Sequence, residues 1–167
     1  MQSHLNRLEL VRTYIDNILN NKADKYDARC GFVHLYSVAG YCSLLAHLRN
    51  LNCKIASVIG MLHDISTYIT GDPTNHAKLS VIESKNILST IGCFSEEEIN
   101  IICTAIGFHS NKLEIHSDYD ELLKDADVLQ HYLYNTSFAI AEKEKHRLDR
   151  LIKELKPVIG CAGNEMP

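Results

Sequence analysis

The sequence predicts an all-α fold, a single bundle of about six or seven helices. Apolar residues recur at helical spacing almost everywhere along the chain. Only three prolines and eight glycines interrupt 167 residues, so long periodic segments survive. Those segments are separated by short polar stretches, with no internal repeat, low-complexity tract or linker. One domain over residues 1–167 is therefore expected, and a chain of this length buries roughly two-thirds of its unfolded surface.

The elements follow in order. A first amphipathic helix is expected over about residues 3–19, closed by the polar "NNKADKYDAR". The second covers about residues 31–50, with Val38, Tyr41, Leu45 and Leu48 on one face. A third runs over about 53–65, and "STYITGDPTN" then breaks the pattern at Gly71 and Pro73. The fourth, about 75–90, stops at Gly92. The fifth opens at Ser95, where "SEEE" offers a capping box with Glu98, and reaches about 108. Past the polar "SNKLEIHS", Asp118 is the expected cap of a sixth helix ending near 135, with Glu121 at its third position. The seventh, about 138–155, carries its charge on an outer face.

Composition narrows the functional classes. Hydrophobic residues at 46% and charged residues at 23% describe a globular chain. No run of ~18 apolar residues occurs, so no membrane partner is expected. The amino terminus lacks the layout of a secretion signal, which predicts a cytoplasmic protein. A net charge of −4 without a basic stripe argues against nucleic acid as a partner. Six cysteines without a CxxC pair are expected as free thiols, several of them packed as small hydrophobes. Nine histidines beside no tryptophan is the unusual feature.

Several of these histidines fall on inward faces. His34 precedes Val38 by four residues and Tyr41 by seven. His63 follows Ile59 by four and Ile55 by eight, in "IASVIGMLHDIS", and Asp64 comes next. His109 follows Ala105 by four, and His76 borders the apolar face of its own helix. "LLKDADVLQHYLY" sets Asp125 and Asp127 among leucines and tyrosines. A buried carboxylate needs a compensating charge, and a buried imidazole needs both nitrogens satisfied. No lysine or arginine lies in the apolar stretches around Asp64, and only Lys124 adjoins the second acidic pair. A divalent cation would satisfy both residue types at once, which predicts a metal cavity among the helix ends. His4, His47, His116, His131 and His146 lie on polar faces or in loops and are assigned no role. No G-x-S-x-G elbow and no glycine-rich phosphate loop is present.

A histidine, a His-Asp doublet on the next helix and a distant Asp in an "AD" dipeptide resemble the HD-domain superfamily of metal-dependent phosphohydrolases. The likeness covers about residues 25–140 and rests on His34 in "GFVHLYSVAGYCSLLA", His63 and Asp64 in "GMLHDIS", and Asp127 in "LLKDADVLQHYLY". It implies that these four ligate a metal, with Asp125 the rival of Asp127. "NHAKLSVIESKNIL" and "TAIGFHS" are similar to further family segments, which implies that His76 and His109 hold a second ion or bind phosphate. Binuclear members often have two adjacent histidines where this chain has Phe108 and His109. The "HD…TGDPT" stretch is also similar to the 5′-nucleotidase branch, although Thr67 stands where that branch has an acid, and Asp72 follows later.

The resemblance implies hydrolysis of a small-molecule phosphate ester or anhydride, with a nucleotide the leading candidate. A bound ion would acidify a water and polarise a phosphoryl oxygen. Asp64 or Asp72 would orient or deprotonate that water, while His76, His109 and Lys78 would neutralise phosphoryl charge. The alternative is a non-catalytic sensor that binds metal and nucleotide. Two imidazoles and two carboxylates suit Mn, Fe, Ni, Co, Zn or Mg alike. Oligomeric state, a homo-oligomer included, is left open by the sequence.

Overall fold

The computed structural model describes residues 6–22, 24–134 and 139–160, the last three of these by backbone alone. It contains eight helices and no strand among the described residues: α1 (Arg7–Asn20), α2 (Lys25–Leu48), α3 (Cys53–Leu62), α4 (Ile65–Thr70), α5 (His76–Ile91), α6 (Glu96–Phe108), α7 (Asp118–Tyr134) and α8 (Glu142–Gly160). The all-α expectation holds. The expected start of the first helix at Ser3, the boundary residues Asn135 and Phe138, His4 and Cys161 lie outside the described residues.

The unbroken apolar run of the third predicted helix has a simple cause. α3 is the central helix, and every side chain from Ile55 to Leu62 is buried, so it has no polar face to show in its sequence. Its start is set by Asn52, whose Oδ1 accepts from the backbone N–H groups of Lys54 and Ile55 at 2.9 and 3.3 Å. The longest helix, α2, packs along it and against α7. At the crossing, a Cβ on Gly60 would lie 2.6 Å from the Cα of Ala39, so only glycine permits this approach. The remaining helices wrap this pair around one continuous core that includes Ile15, Leu35, Leu62, Leu88, Ile102 and Leu123.

Several boundaries differ from the sequence reading, among them those of α8, which runs from Glu142 to Gly160 where about 138–155 was expected. α2 begins at Lys25, not near 31, because Asp24 caps it by accepting from the N–H groups of Tyr26 and Asp27. The "STYIT" segment is helical as α4, which buries only Ile65 and Ser66 and ends at Gly71 with φ +78°. Two buried positions in six residues give too little periodicity to announce a helix. At α7 the cap is Ser117, not Asp118: the Ser117 N–H and hydroxyl both donate to Asp120, at 3.0 and 2.8 Å. The Ser95–Glu98 capping box forms as expected. No helix among the described residues is long and apolar enough to cross a membrane.

Candidate metal centre

Of the eight sequence-selected site positions, four sit where helices stop and start. His63 is the C-cap of α3, Asp64 the N-cap of α4, His76 the first residue of α5 and His109 the C-cap of α6. His34 and Asp127 come instead from the interiors of α2 and α7. The break between α3 and α4 falls at the His-Asp doublet, where Asp64 has left helical geometry (φ −115°, ψ 16°). That break lets consecutive side chains enter one site, which an unbroken helix, at about 100° per residue, would separate.

The histidines converge through their Nε2 atoms. His34 and His63 approach to 3.1 Å, and His76 and His109 likewise to 3.1 Å. Every Nδ1 has an acceptor elsewhere: His63 on Gly60 O (2.8 Å), His76 on Pro73 O (2.8 Å), His109 on Ile106 O (2.7 Å) and His34 on Gln130 Oε1 (3.0 Å). With the ring proton on Nδ1, a neutral imidazole presents a lone pair at Nε2. Two such pairs of lone pairs face each other.

Asp64 lies between the two pairs. Its Oδ2 is 3.3 Å from His34 Nε2 and 3.5 Å from His63 Nε2. Its Oδ1 is 3.2 Å from His109 Nε2 and 3.6 Å from His76 Nε2. Asp127 Oδ1 is 3.9 Å from His34 and 3.8 Å from His63. Asp64 Oδ1 and Asp127 Oδ1 are both buried without a hydrogen-bond partner.

These residues fit divalent cations. Two nitrogens held at about 2.1 Å from one zinc-like ion stand roughly 3.0 to 3.4 Å apart between octahedral and tetrahedral arrangements, and both observed pairs fall in that interval. Two overlapping donor groups result, His34–His63–Asp127 and His63–Asp64–His109, with the ligand atoms of each within 4.8 Å of one another. The donor set is neutral nitrogen and anionic oxygen, and the two partnerless oxygens lie in it.

The electrostatics agree. Burial pushes the His63 ring down to about 4, so it stays neutral. Burial pulls His34 the same way, but the neighbouring Asp64 and Asp127 outweigh it and raise this ring. For both acids burial acts upward and is overcome. The histidines around Asp64 hold it well below the usual carboxylate range, and Lys112 followed by the histidines does the same for Asp127.

Several site neighbours escaped the sequence reading. Lys112, from the loop before α7, is buried and donates to Asp127 Oδ2 at 2.5 Å. His131, assigned no role from sequence, has Nε2 3.4 Å from Asp127 Oδ1 and Nδ1 3.4 Å from Glu144 Oε2, and its ring stacks parallel to His34. The i, i+4 spacing of Asp127 and His131 was the available signal. Ser110 places its hydroxyl 3.0 Å from His76 Nε2.

Two sequence candidates are not brought in. Asp72 is exposed, and its Oδ1 accepts from the Thr74 N–H at 2.8 Å in a tight turn, where short acidic side chains serve structurally. Lys78 is exposed on α5 and pairs with none of the cluster. The choice between Asp125 and Asp127 is also geometric: Asp125 is fully buried between Arg49, Arg147 and Arg150, at 2.7, 2.6 and 2.9 Å, away from the histidines.

The cleft above the cluster encloses about 250 Å³ and includes Lys112, Lys143 and His131 in its walls. A larger cavity of about 520 Å³ adjoins it through His131 and Glu144, which line both.

Comparison with known proteins agrees with this architecture. Residues 31–132 match the model of the HD domain. A crystal structure of a predicted HD superfamily hydrolase from an uncultured Thermotogales bacterium superposes with a TM-score of 0.56 at 20% identity, over 90% of this chain and 92% of that one. No curated protein matches the chain. Because the family model spans more than half the chain and contains the histidine, the His-Asp doublet and the distal Asp just described, the chain belongs to the HD-domain family.

Proposed function

We propose that the chain is a phosphohydrolase dependent on two divalent ions, cleaving a phosphate ester or anhydride on a small molecule, with a nucleotide the leading candidate. One observation carries this reading: two facing Nε2 pairs, each 3.1 Å apart, with the two oxygens of one carboxylate divided between them. His34, His63, Asp64 and Asp127 would hold one ion, and Asp64, His76 and His109 the other. Such ions acidify water and polarise a phosphoryl oxygen.

The chain's own groups supply the rest. Lys112 covers one oxygen of Asp127 and leaves the other free for the site. Lys112 and Lys143 line the same cleft and offset the charge of a phosphate there. His131, held through Nδ1 by Glu144, turns Nε2 toward the cleft, and because Glu144 and Asp127 raise its pKa it would carry a proton at that atom. In the reaction water would add its oxygen to phosphorus as the bond to the leaving oxygen breaks, that oxygen would receive the His131 proton, and the proton lost by the water would restore His131.

The test combines elemental analysis with a phosphate-release screen of nucleotides and sugar phosphates across added metals, using wild type and Asp64→Ala. Up to two ions per chain, turnover by the wild type and loss of both in the variant are expected. Ligand binding without turnover would instead establish the sensor reading, and absence of bound metal would end both.

A further inference from the structure

Arg147 of α8 is buried and divides its guanidinium among three acceptors. Its Nη1 donates to Asp125 Oδ1 at 2.6 Å and to Glu121 Oε2 at 2.9 Å, and its Nη2 donates to the backbone carbonyl of Lys112 at 3.1 Å. The two acids do not depend on it. Asp125 also receives Arg49 at 2.7 Å and Arg150 at 2.9 Å, and Glu121 receives Lys124 at 2.9 Å. The Lys112 carbonyl differs in this respect, because among the described residues no other group donates to it.

We propose that Arg147 is a positioning residue for the metal cleft: by holding the Lys112 peptide it sets the Lys112 ammonium against Asp127 Oδ2, and through that ammonium α8 governs how strongly the cleft holds a phosphate. This role rests on the two-ion phosphohydrolase reading for what enters the cleft. It adds the group that keeps the cleft's buried lysine in place.

Backbone accounting supports the assignment. Lys112 is buried in the loop between α6 and α7, where no helical ladder supplies a donor for its carbonyl. Before it, the Asn111 N–H donates to Phe108 O at 3.0 Å and the Lys112 N–H to Ser110 O at 3.1 Å. After it, the fully buried Lys124 donates to Glu114 O at 2.8 Å. These bonds fix the loop on either side and leave the peptide that follows Lys112 to Arg147. A lysine reaches its partner on a flexible four-carbon stem, so its ammonium is placed only as well as its backbone. The planar guanidinium suits the task, since one terminal nitrogen faces the two carboxylates while the other reaches the carbonyl.

The Lys112 ammonium acts in opposite directions on the two ligands of the cleft. It competes with a metal ion for the charge of Asp127, and it attracts an anion that enters beside it. Displacing it therefore tightens metal binding and weakens phosphate binding. General damage to the site weakens both.

The experiment titrates Mn into metal-free protein by calorimetry, then inorganic phosphate into the Mn-loaded protein, for wild type, Arg147→Met, Lys112→Met, the double variant and Arg150→Met. Arg147→Met is expected to bind phosphate about tenfold more weakly, the effect of one charge-assisted hydrogen bond, and Mn more tightly. The double variant should bind phosphate no worse than Lys112→Met alone. Arg150→Met withdraws a cation from Asp125 without touching the loop, and should leave both affinities near wild type. Proton–nitrogen NMR of the lysine ammonium groups in metal-free protein reads the placement directly: the protected Lys112 signal should be lost in Arg147→Met while that of Lys124 persists. Arg147→Lys, which keeps the charge without the fork, supplies the answer if the methionine variant does not fold. Weaker Mn binding in Arg147→Met, an equal phosphate loss in Arg150→Met, a further loss in the double variant or a retained Lys112 signal overturns the proposal. A wild type that binds neither Mn nor phosphate removes the two-ion reading, and the ammonium spectra then decide whether Arg147 places Lys112.

Discussion

Asp125 and Asp127 stand two residues apart on α7 and face opposite sides of it, the first into three arginines and the second into the histidine cluster. Two residues turn a helix by about 200°, so the adjacent acids of "DAD" cannot share a partner. They should therefore fail differently. Asp125→Asn is expected to cost about 3–5 kcal/mol by leaving buried arginine charge uncompensated, while the melting temperature still rises when Mn or Zn is added. Asp127→Asn should remove most of that metal-dependent rise. Thermal melts with and without metal check both.

Lys112 holds Asp127 from the side away from the histidines, and both side chains are buried. Breaking such a pair by deleting one member costs about 3–5 kcal/mol. Lys112→Met is expected to approach that loss in chelator-treated protein and to lose less when metal is present, because the ion then shares the carboxylate charge. Denaturant unfolding under the two conditions measures the difference.

Gly60 fixes the distance between the helices that carry His34 and His63. Gly60→Ala would press a methyl carbon onto the backbone of Ala39. Overpacking of this kind costs about 1–3 kcal/mol, and the separation it forces should weaken metal binding as well. Gly40→Ala, where a Cβ meets nothing within 4 Å, is the matched control and should leave both properties near wild type.

Acid should weaken the arginine network on the far side of α7. Arg49 holds Glu154 below its ordinary 4.5, and Glu121 is held below the same value because the hydrogen bonds from Lys124 and Arg147 outweigh its burial. A carboxyl whose folded value is depressed stabilises the fold above its unfolded value, and that contribution is lost as pH falls through the folded value. The melting temperature is expected to drop below about pH 4.5. Glu154→Gln should lower it at neutral pH and make the acid drop shallower.

Much of the fold was legible because helical spacing is local. Ser95 and Glu98 announce their capping box within four residues, and the stop at Gly92 needs only the αL conformation that its φ of +69° confirms. α4 was not legible, since a single turn and a half buried at one end lacks a period. The start of α2 was missed for a related reason: "KYDAR" reads as a loop until Asp24 is recognised as its cap.

The sequence by itself determined that histidines and acids would be buried together, since their helical phase points them inward and buried charge demands compensation. Which charges compensate which was decided by the tertiary structure alone. Arg49, Arg147 and Arg150 reach Asp125 from 76, 22 and 25 residues away, and Lys112 reaches Asp127 from 15. His131 enters the site because α8 brings Glu144 against it, and Asp72 stays out because its turn occupies its carboxylate. Electrostatic pairing acts over a few ångströms of space, a distance that residue spacing along the chain specifies only within a single element.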